Sequence, residues 1–218
     1  MQQILTFLTE LAQHNDKVWM DAHREDYYQA RDQFTTVVES LIQGMAPLDN
    51  LVASLVPKDC MFRINRDIRF SKNKAPYKTN MGAYLAPGGK KGGYAGYYLH
   101  LEPKDKSFVA GGIYHPAPKV LQQIRQEIDY NAKELIPVLS APQFVSLFGP
   151  LQGEKLTKAP KGYPNDHPQV ELLKLKSLLA IHPITDSFVL QGDFVSQVVN
   201  LFSALVPLNK FLNAALHE

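Results

Sequence analysis

The stretch "FRINRDIRFSKNKAPYK", residues 62–78, places six cations (Arg63, Arg66, Arg69, Lys72, Lys74 and Lys78) against a single acid, Asp67. Arginine grips phosphate or carboxylate through a two-pronged fork, and lysine adds a compact charge, so this composition suits a multiply charged anion. Asp67 is placed to orient a neighbouring guanidinium, and Tyr77 adds a phenol. A charged face that is merely wetted by solvent is the bland alternative. Three arginines close together on one strand repel one another, which counts against it. A second stretch, "KAPKGYPNDHP" (158–168), gathers Lys158, Lys161, Tyr163, Asp166 and His167. Catalytic groups commonly sit on such loops when a rigid scaffold holds them. Asp166 reads either as the orienter of a His167 base or as the N-cap of a following helix with Pro168 in its first turn. A third, "GGIYHP" (111–116), puts Tyr114 and His115 at the end of a strand.

The candidates for proton transfer are therefore Asp67, His115, Tyr163, Asp166 and His167. Those for ligand contact are Arg63, Arg66, Arg69, Lys72, Lys74, Tyr77, Lys78 and Lys161. Two histidines and an aspartate without short-range spacing do not make a metal motif, and no metal site is assigned. The sequence contains no HExxH, GxSxG, P-loop or Rossmann glycine pattern, and it names no cofactor.

These groups need a frame. Residues 61–70 alternate, with Phe62, Ile64, Ile68 and Phe70 on one side and Arg63, Asn65, Asp67 and Arg69 on the other, which predicts a half-buried strand. Arg66 alone falls on the apolar side and calls for a bulge or a buried acid. Pro76 forbids a continuing ladder. Upstream, a helix is expected over 3–13. Asn15-Asp16 then caps a longer one with Trp19, His23, Tyr27, Ala30, Phe34, Val38, Leu41 and Met45 on one stripe, ended by Gly44 and Pro47. Downstream come a basic glycine-rich loop at 87–93 and two strands, 94–102 and 107–114, joined by a hairpin turn at 103–106. Gly111-Gly112 predicts a bulge or a close backbone approach. Helical pieces are expected over 117–130, 132–139, 142–148 and 169–175, extended chain over 151–158 and 177–184, and helix over 191–216 broken at Pro207. Helices at both ends around clustered strands argue for one α+β domain spanning 1–218, with a mainly antiparallel central sheet.

The net charge is only +2, leaving −3 outside the basic stretch, so nothing pulls the whole chain toward nucleic acid or membranes. Cys60 is the single cysteine and forms no internal disulfide. That fits a reducing compartment, with the thiol as a small apolar filler. No apolar run approaches the roughly 18 residues of a membrane span, and the N-terminus lacks secretory features, so a cytoplasmic location is expected.

Taken together, "NDKVW" (15–19), "FRINRDIRFSKNKAPYKTN" (62–80), "YYLHLEP" (97–103), "GGIYHP" (111–116), "IRQEI" (124–128) and "LTKAPKGYPNDHPQVELLKLKS" (156–177) resemble a family known as domain of unknown function 2461, found mainly in bacteria. Met20 stands where that family usually shows an aromatic, and Asn73 where an acid is common. The resemblance implies a single cytoplasmic α+β domain and supplies no activity.

The leading expectation is a binding protein or enzyme for a small phosphorylated or carboxylated molecule, held by the arginine-rich segment with the histidine loop in the same pocket. The residues leave hydrolysis, transfer and simple binding open. A nucleic-acid-associated module is the rival, through the aromatics interleaved with the basic residues, though the acidic remainder counts against it. A third reading is a protein-interaction domain whose charged strand protects a sheet edge.

Overall fold

The structure, a computed structural model, describes residues 1–216. Helix α1 (Gln2–Gln13) buries Ile4, Leu5, Phe7, Leu8 and Leu11 along the stripe that the sequence displays. Asp16 caps α2 (Lys17–Ala22), accepting from the Trp19 N–H at 2.9 Å and so satisfying a helix-start donor. The expected long second helix is divided. His23 leaves helical geometry (φ −111°, ψ 29°), stacks 4.1 Å from Trp19, and donates from Nδ1 to the Trp19 carbonyl at 2.9 Å. α3 (Arg24–Met45) then starts afresh and buries Ala30, Phe34, Val37, Val38, Leu41, Ile42 and Met45.

After the short α4 (Pro57–Cys60), the predicted strand over 61–70 does not form. Only isolated bridges join Met61 to Ala83 and Asn65 to Tyr77. The Arg66 N–H donates to the Pro76 carbonyl at 2.9 Å and the Lys78 N–H to the Ile64 carbonyl at 2.8 Å, so the chain doubles back across 67–75. Arg66 on the apolar side and Pro76, which lacks a donor, are what the simple alternation ignored. The strand that does form is β1 (Met81–Leu85), five residues missed in the sequence reading.

The sheet runs β1, β2 (Gly96–Leu101), β3 (Ser107–Ile113), β4 (Leu178–Ile184) in that order, every pair antiparallel. The expected hairpin joins β2 to β3, with Lys104 and Asp105 in left-handed conformations (φ 68° and 57°) that match the strand twist. Asp186 steadies the turn, its carboxylate accepting from both N–H groups at 2.9 and 3.2 Å. Met81, Ala83, Leu85, Tyr97, Leu99, Leu101, Val109, Ile113, Leu178, Ala180 and Ile184 point to one side and are buried. Against that side pack α3, α9 (Phe194–Ser203) and α10 (Val206–Ala214). Gly112 marks a close approach without a bulge. Its φ is 109°, a Cβ would stand 2.0 Å from the Leu178 carbonyl oxygen, and the register runs through it unbroken. Two buried asparagines tie α10 to the sheet. Asn209 accepts from the Gly112 N–H at 2.9 Å, while Asn213 accepts from the Ala95 N–H at 2.8 Å and donates to its carbonyl at 3.0 Å.

Between β3 and β4 the chain forms α5 (Pro118–Ser140), α6 (Pro142–Phe148) and α7 (Val170–Leu173). α5 merges two expected pieces across a kink at Asn131. The extended piece over 151–158 is not a strand. Gln152 bridges Leu179 and Lys155 bridges Leu175, a one-residue slip that prevents a continuous ladder along the outer edge of β4. A short α8 (Asp186–Val189) follows β4. The fold is α+β, with one hydrophobic core from Ile4 to Leu212. No single helix among the described residues is long and apolar enough to cross a membrane. The apolar pair α9 and α10, bent by 48°, lines that core through Phe194, Val198, Phe202, Leu208 and Leu212.

Candidate functional site

Folded as a two-armed loop, the basic segment gives its cations different roles. Arg66 is half-buried and donates to the Ala75 carbonyl at 3.0 Å and the Ser71 hydroxyl at 3.3 Å. Neither a bulge nor a buried acid is involved; a carbonyl and a hydroxyl satisfy the guanidinium. Lys74 donates to the Ile68 carbonyl at 3.1 Å and Lys78 to the Arg63 carbonyl at 2.9 Å. Asn73 closes the tip by accepting from the Ala75 N–H at 2.9 Å. Asp67 does orient an arginine, receiving both prongs of Arg69 at 3.0 and 2.7 Å, and this bonding holds its carboxyl below the usual value. Tyr77 is buried, its backbone bracketed by the Asn15 amide at 3.0 and 3.1 Å. Arg63 and Lys72 remain exposed and enter no ion pair among the described residues. Lys78 lies 5.6 Å from the centre of the Phe62 ring; burial, then repulsion from Arg63, lowers its pKa.

Phe62 links this segment to the second face of the sheet, meeting Tyr98 edge-on at 6.1 Å. That face is half-buried, and its alternate positions are Tyr98 and His100 on β2 and Glu102 just past the strand's end. The His100 Nε2–H donates to Glu102 at 3.1 Å, and the ring stacks 4.5 Å from Phe108. Its Nδ1 faces the Tyr98 hydroxyl at 3.1 Å and the Asn80 amide nitrogen at 3.4 Å. Glu102 also accepts from the Thr79 hydroxyl at 3.4 Å. Burial lowers the His100 pKa despite Glu102, so the ring is neutral at pH 7. Burial, then the Glu102 charge, pushes the Tyr98 phenol up to about 12, so it stays protonated. Tyr98 lies across Gly82, where a Cβ would come within 2.5 Å of the hydroxyl; only glycine leaves that room. A neutral imidazole nitrogen offers one lone pair, and two donors face it here, so one donor is left for an outside acceptor.

The histidine loop is built differently. His167 receives the Gln169 N–H on Nδ1 at 3.0 Å and donates from Nε2 to Asp129 of α5 at 2.9 Å, so both ring nitrogens are engaged. Tyr163 meets the His167 ring edge-on at 6.0 Å, and burial, then Asp129, raises its phenol pKa. Arg125, one turn before Asp129 on α5, donates to the Leu173 and Leu175 carbonyls at 2.8 and 3.3 Å. Asp166 is exposed and does not cap α7, whose N-cap is Gln169; the helix starts one turn later than Pro168 would set it. Lys158 and Lys161 are exposed. His115 is exposed in a left-handed conformation (φ 43°), with its N–H on the Ser177 hydroxyl at 3.0 Å and its ring 4.3 Å from Tyr114.

The structure does not gather these stretches into one pocket. The basic segment bridges to β1 and the 152–155 chain leading into the histidine loop bridges to β4, at opposite edges of the sheet. With strands about 4.8 Å apart, those edges are roughly 14 Å apart. Among the described residues no three His, Cys, Asp or Glu side chains are grouped to hold a metal. Two surface depressions, of about 430 and 270 Å³, are lined chiefly by α3 with α9 and by α1, and contain no candidate residue. The sequence reading missed Asn80, Tyr98, His100 and Glu102. The last three were legible as every second residue of a correctly expected strand. Asp129 was signalled only by its one-turn spacing from Arg125.

No curated protein and no solved structure matches the chain. A family model does match, over residues 3–211, nearly the whole length. The chain therefore belongs to the family described as conserved hypothetical protein (DUF2461).

Proposed function

We propose that this protein binds a small anionic molecule, phosphorylated or carboxylated, at the corner where the basic segment meets the half-buried sheet face. The observation that carries this reading is the contest at His100 Nδ1. Tyr98 and Asn80 both present donors to one lone pair, so a donor is available to an oxygen acceptor from outside. Beside them, reached through Phe62, lie Arg63 and Lys78, which supply positive charge and form no close ion pair among the described residues, Arg63 acting on Asp67 only at longer range. Lys72 extends the positive rim, while the charge of Arg69 is taken up by Asp67. Neutral His100, held by Glu102, would serve as a fixed dipole and not as a second cation. The buried lone cysteine supports a reducing, cytoplasmic setting.

The test is thermal denaturation with inorganic phosphate and with citrate. A ligand at about 100 times its dissociation constant should stabilise the protein by roughly 2.7 kcal/mol. Arg63→Ala and Tyr98→Phe should each reduce that response. No stabilisation by either anion or by any phosphorylated metabolite at millimolar concentration would remove the proposal.

A further inference from the structure

The basic segment also exposes two aromatic rings, and each has a cation beside it. Phe70, at the tip of the loop, is 96% exposed, with the Arg69 guanidinium carbon 5.8 Å from its ring centre. Phe62 is 42% exposed, with the Lys78 nitrogen 5.6 Å from its ring centre. Burial in the core accounts for neither exposed surface. The loop carrying Phe70 is nonetheless held by hydrogen bonds that include Arg66 to Ala75 and Ser71, Lys74 to Ile68, Ala75 to Asn73 and Arg69 to Asp67. Phosphate or citrate alone would use the cations and leave the rings idle.

We infer that the ligand of this segment is a nucleotide, a planar base carrying phosphate, which stacks on Phe62 or Phe70 while Lys78, Arg63 and Lys72 meet its phosphate. This rests on the anion-binding reading and narrows it. Stacking on an exposed ring serves any base, and an unpaired cation of the same segment reaches the phosphate attached to that base. Arg63 and Lys72, both exposed, are free to take neighbouring phosphates. The ring–cation pairing occurs twice within one segment, which fits successive nucleotides of a single strand as well as a free mononucleotide. An anionic lipid surface would engage Phe70 at the tip. It would make no use of Phe62, which is fixed against Tyr98 at the sheet.

Calorimetric titrations of the full chain with inorganic phosphate, uridine monophosphate and an oligouridylate of eight residues separate the possibilities. Uridine monophosphate should bind more tightly than phosphate. Phe62→Leu or Phe70→Leu should weaken nucleotide binding by about 5- to 10-fold and leave phosphate unchanged, because leucine keeps an apolar side chain and removes the stacking plane. If the natural source is a strand, the oligouridylate binds more tightly than the monophosphate. Lys72→Ala should then lower the slope of log affinity against log salt by about 0.7. Phosphate, citrate and uridine monophosphate binding alike, with both leucine variants silent, would overturn the nucleotide assignment and leave anion binding standing. No binding by any probe would remove both. Sedimentation with phosphatidylserine vesicles, lost in Phe70→Leu and without oligouridylate binding, would assign the rings to a membrane and also overturn it.

Discussion

Replacing Arg66 by alanine removes the two side-chain hydrogen bonds that close the basic loop, to the Ala75 carbonyl at 3.0 Å and the Ser71 hydroxyl at 3.3 Å. A charged donor in a buried site would be worth more, but this guanidinium is half-exposed and its partners can be rehydrated. About 0.5–1 kcal/mol per bond is appropriate, so roughly 1–2 kcal/mol in all. That is a change of about 5- to 30-fold in the balance between closed and open loop. Dilute trypsin reads this balance directly, because cleavage tracks the open population when opening and closing are fast. Cuts after Arg69, Lys72 and Lys74, followed by mass spectrometry of the native protein, should therefore accelerate by about 5- to 30-fold. Arg66→Lys should restore only part of the protection, since a single ammonium lacks the fork that reaches both partners. Cleavage unchanged within about 2-fold in Arg66→Ala, or full protection in Arg66→Lys, would refute the clamp. Cuts spread through the whole chain would show that Arg66 supports the entire fold and not the loop alone.

His100 should make stability depend on pH. Burial depresses its pKa in the folded state, so the unfolded chain takes up the proton first and stability rises with pH up to about 6.5, then levels; urea midpoints from pH 5 to 8 check this, and His100→Gln should flatten the rise. Asn213→Ala strips both backbone groups of buried Ala95 of their partner and should cost about 2–4 kcal/mol in urea unfolding; a loss under about 1 kcal/mol would show that the α10 anchor is dispensable. Cys60 is buried and its thiol is pushed up to about 11, chiefly by burial, so iodoacetamide at pH 8 should label the native protein only through unfolding. Stoichiometric labelling within minutes would contradict the packing around α4.

What could be read in advance follows how local each determinant is. α1, the β2–β3 hairpin, β4 and the break before α10 are written in spacing and turn residues a few positions apart. The strand expected over 61–70 failed because alternation describes one strand and says nothing of its partner. Arg66 and Pro76, ten residues apart, pair with each other instead. β1 escaped notice because five residues containing Gly82 make a weak pattern, and its place is set by pairing with β2. Charge density singles out the segment, but composition cannot show which cations hold backbone carbonyls. Arg66, Lys74 and Lys78 do so, while Arg63 and Lys72 do not. Tyr98, His100 and Glu102 were recoverable from a strand already expected, since period two puts them on one face. His167 with Asp129 was not, since 38 residues separate them and only the packing of the loop on α5 joins them.

The segments that carry the family resemblance sort into two groups in space, and the groups differ in chemistry. "NDKVW", "FRINRDIRFSKNKAPYKTN" and "YYLHLEP" meet at the β1 edge. Asn15 brackets Tyr77, Thr79 and Asn80 reach Glu102 and His100, and Phe62 touches Tyr98. "GGIYHP", "IRQEI" and the histidine loop meet near the β4 edge, where His115 binds Ser177, Arg125 binds the Leu173 and Leu175 carbonyls, and His167 binds Asp129. In the second group the polar contacts are largely internal: carbonyls take up Arg125, and both nitrogens of His167 are used. These contacts fix the loop to α5, while Lys158, Lys161 and Asp166 stay exposed on it and Tyr114 stands 69% exposed beside it. The first group differs at its half-buried face, where two donors meet one nitrogen of His100 beside the exposed Arg63 and Lys72. A donor left over in a half-buried site is costly unless something accepts from it, whereas exposed cations are hydrated at little cost. This leftover donor, and not the density of charge alone, is why the β1 corner is favoured for the proposed anion site.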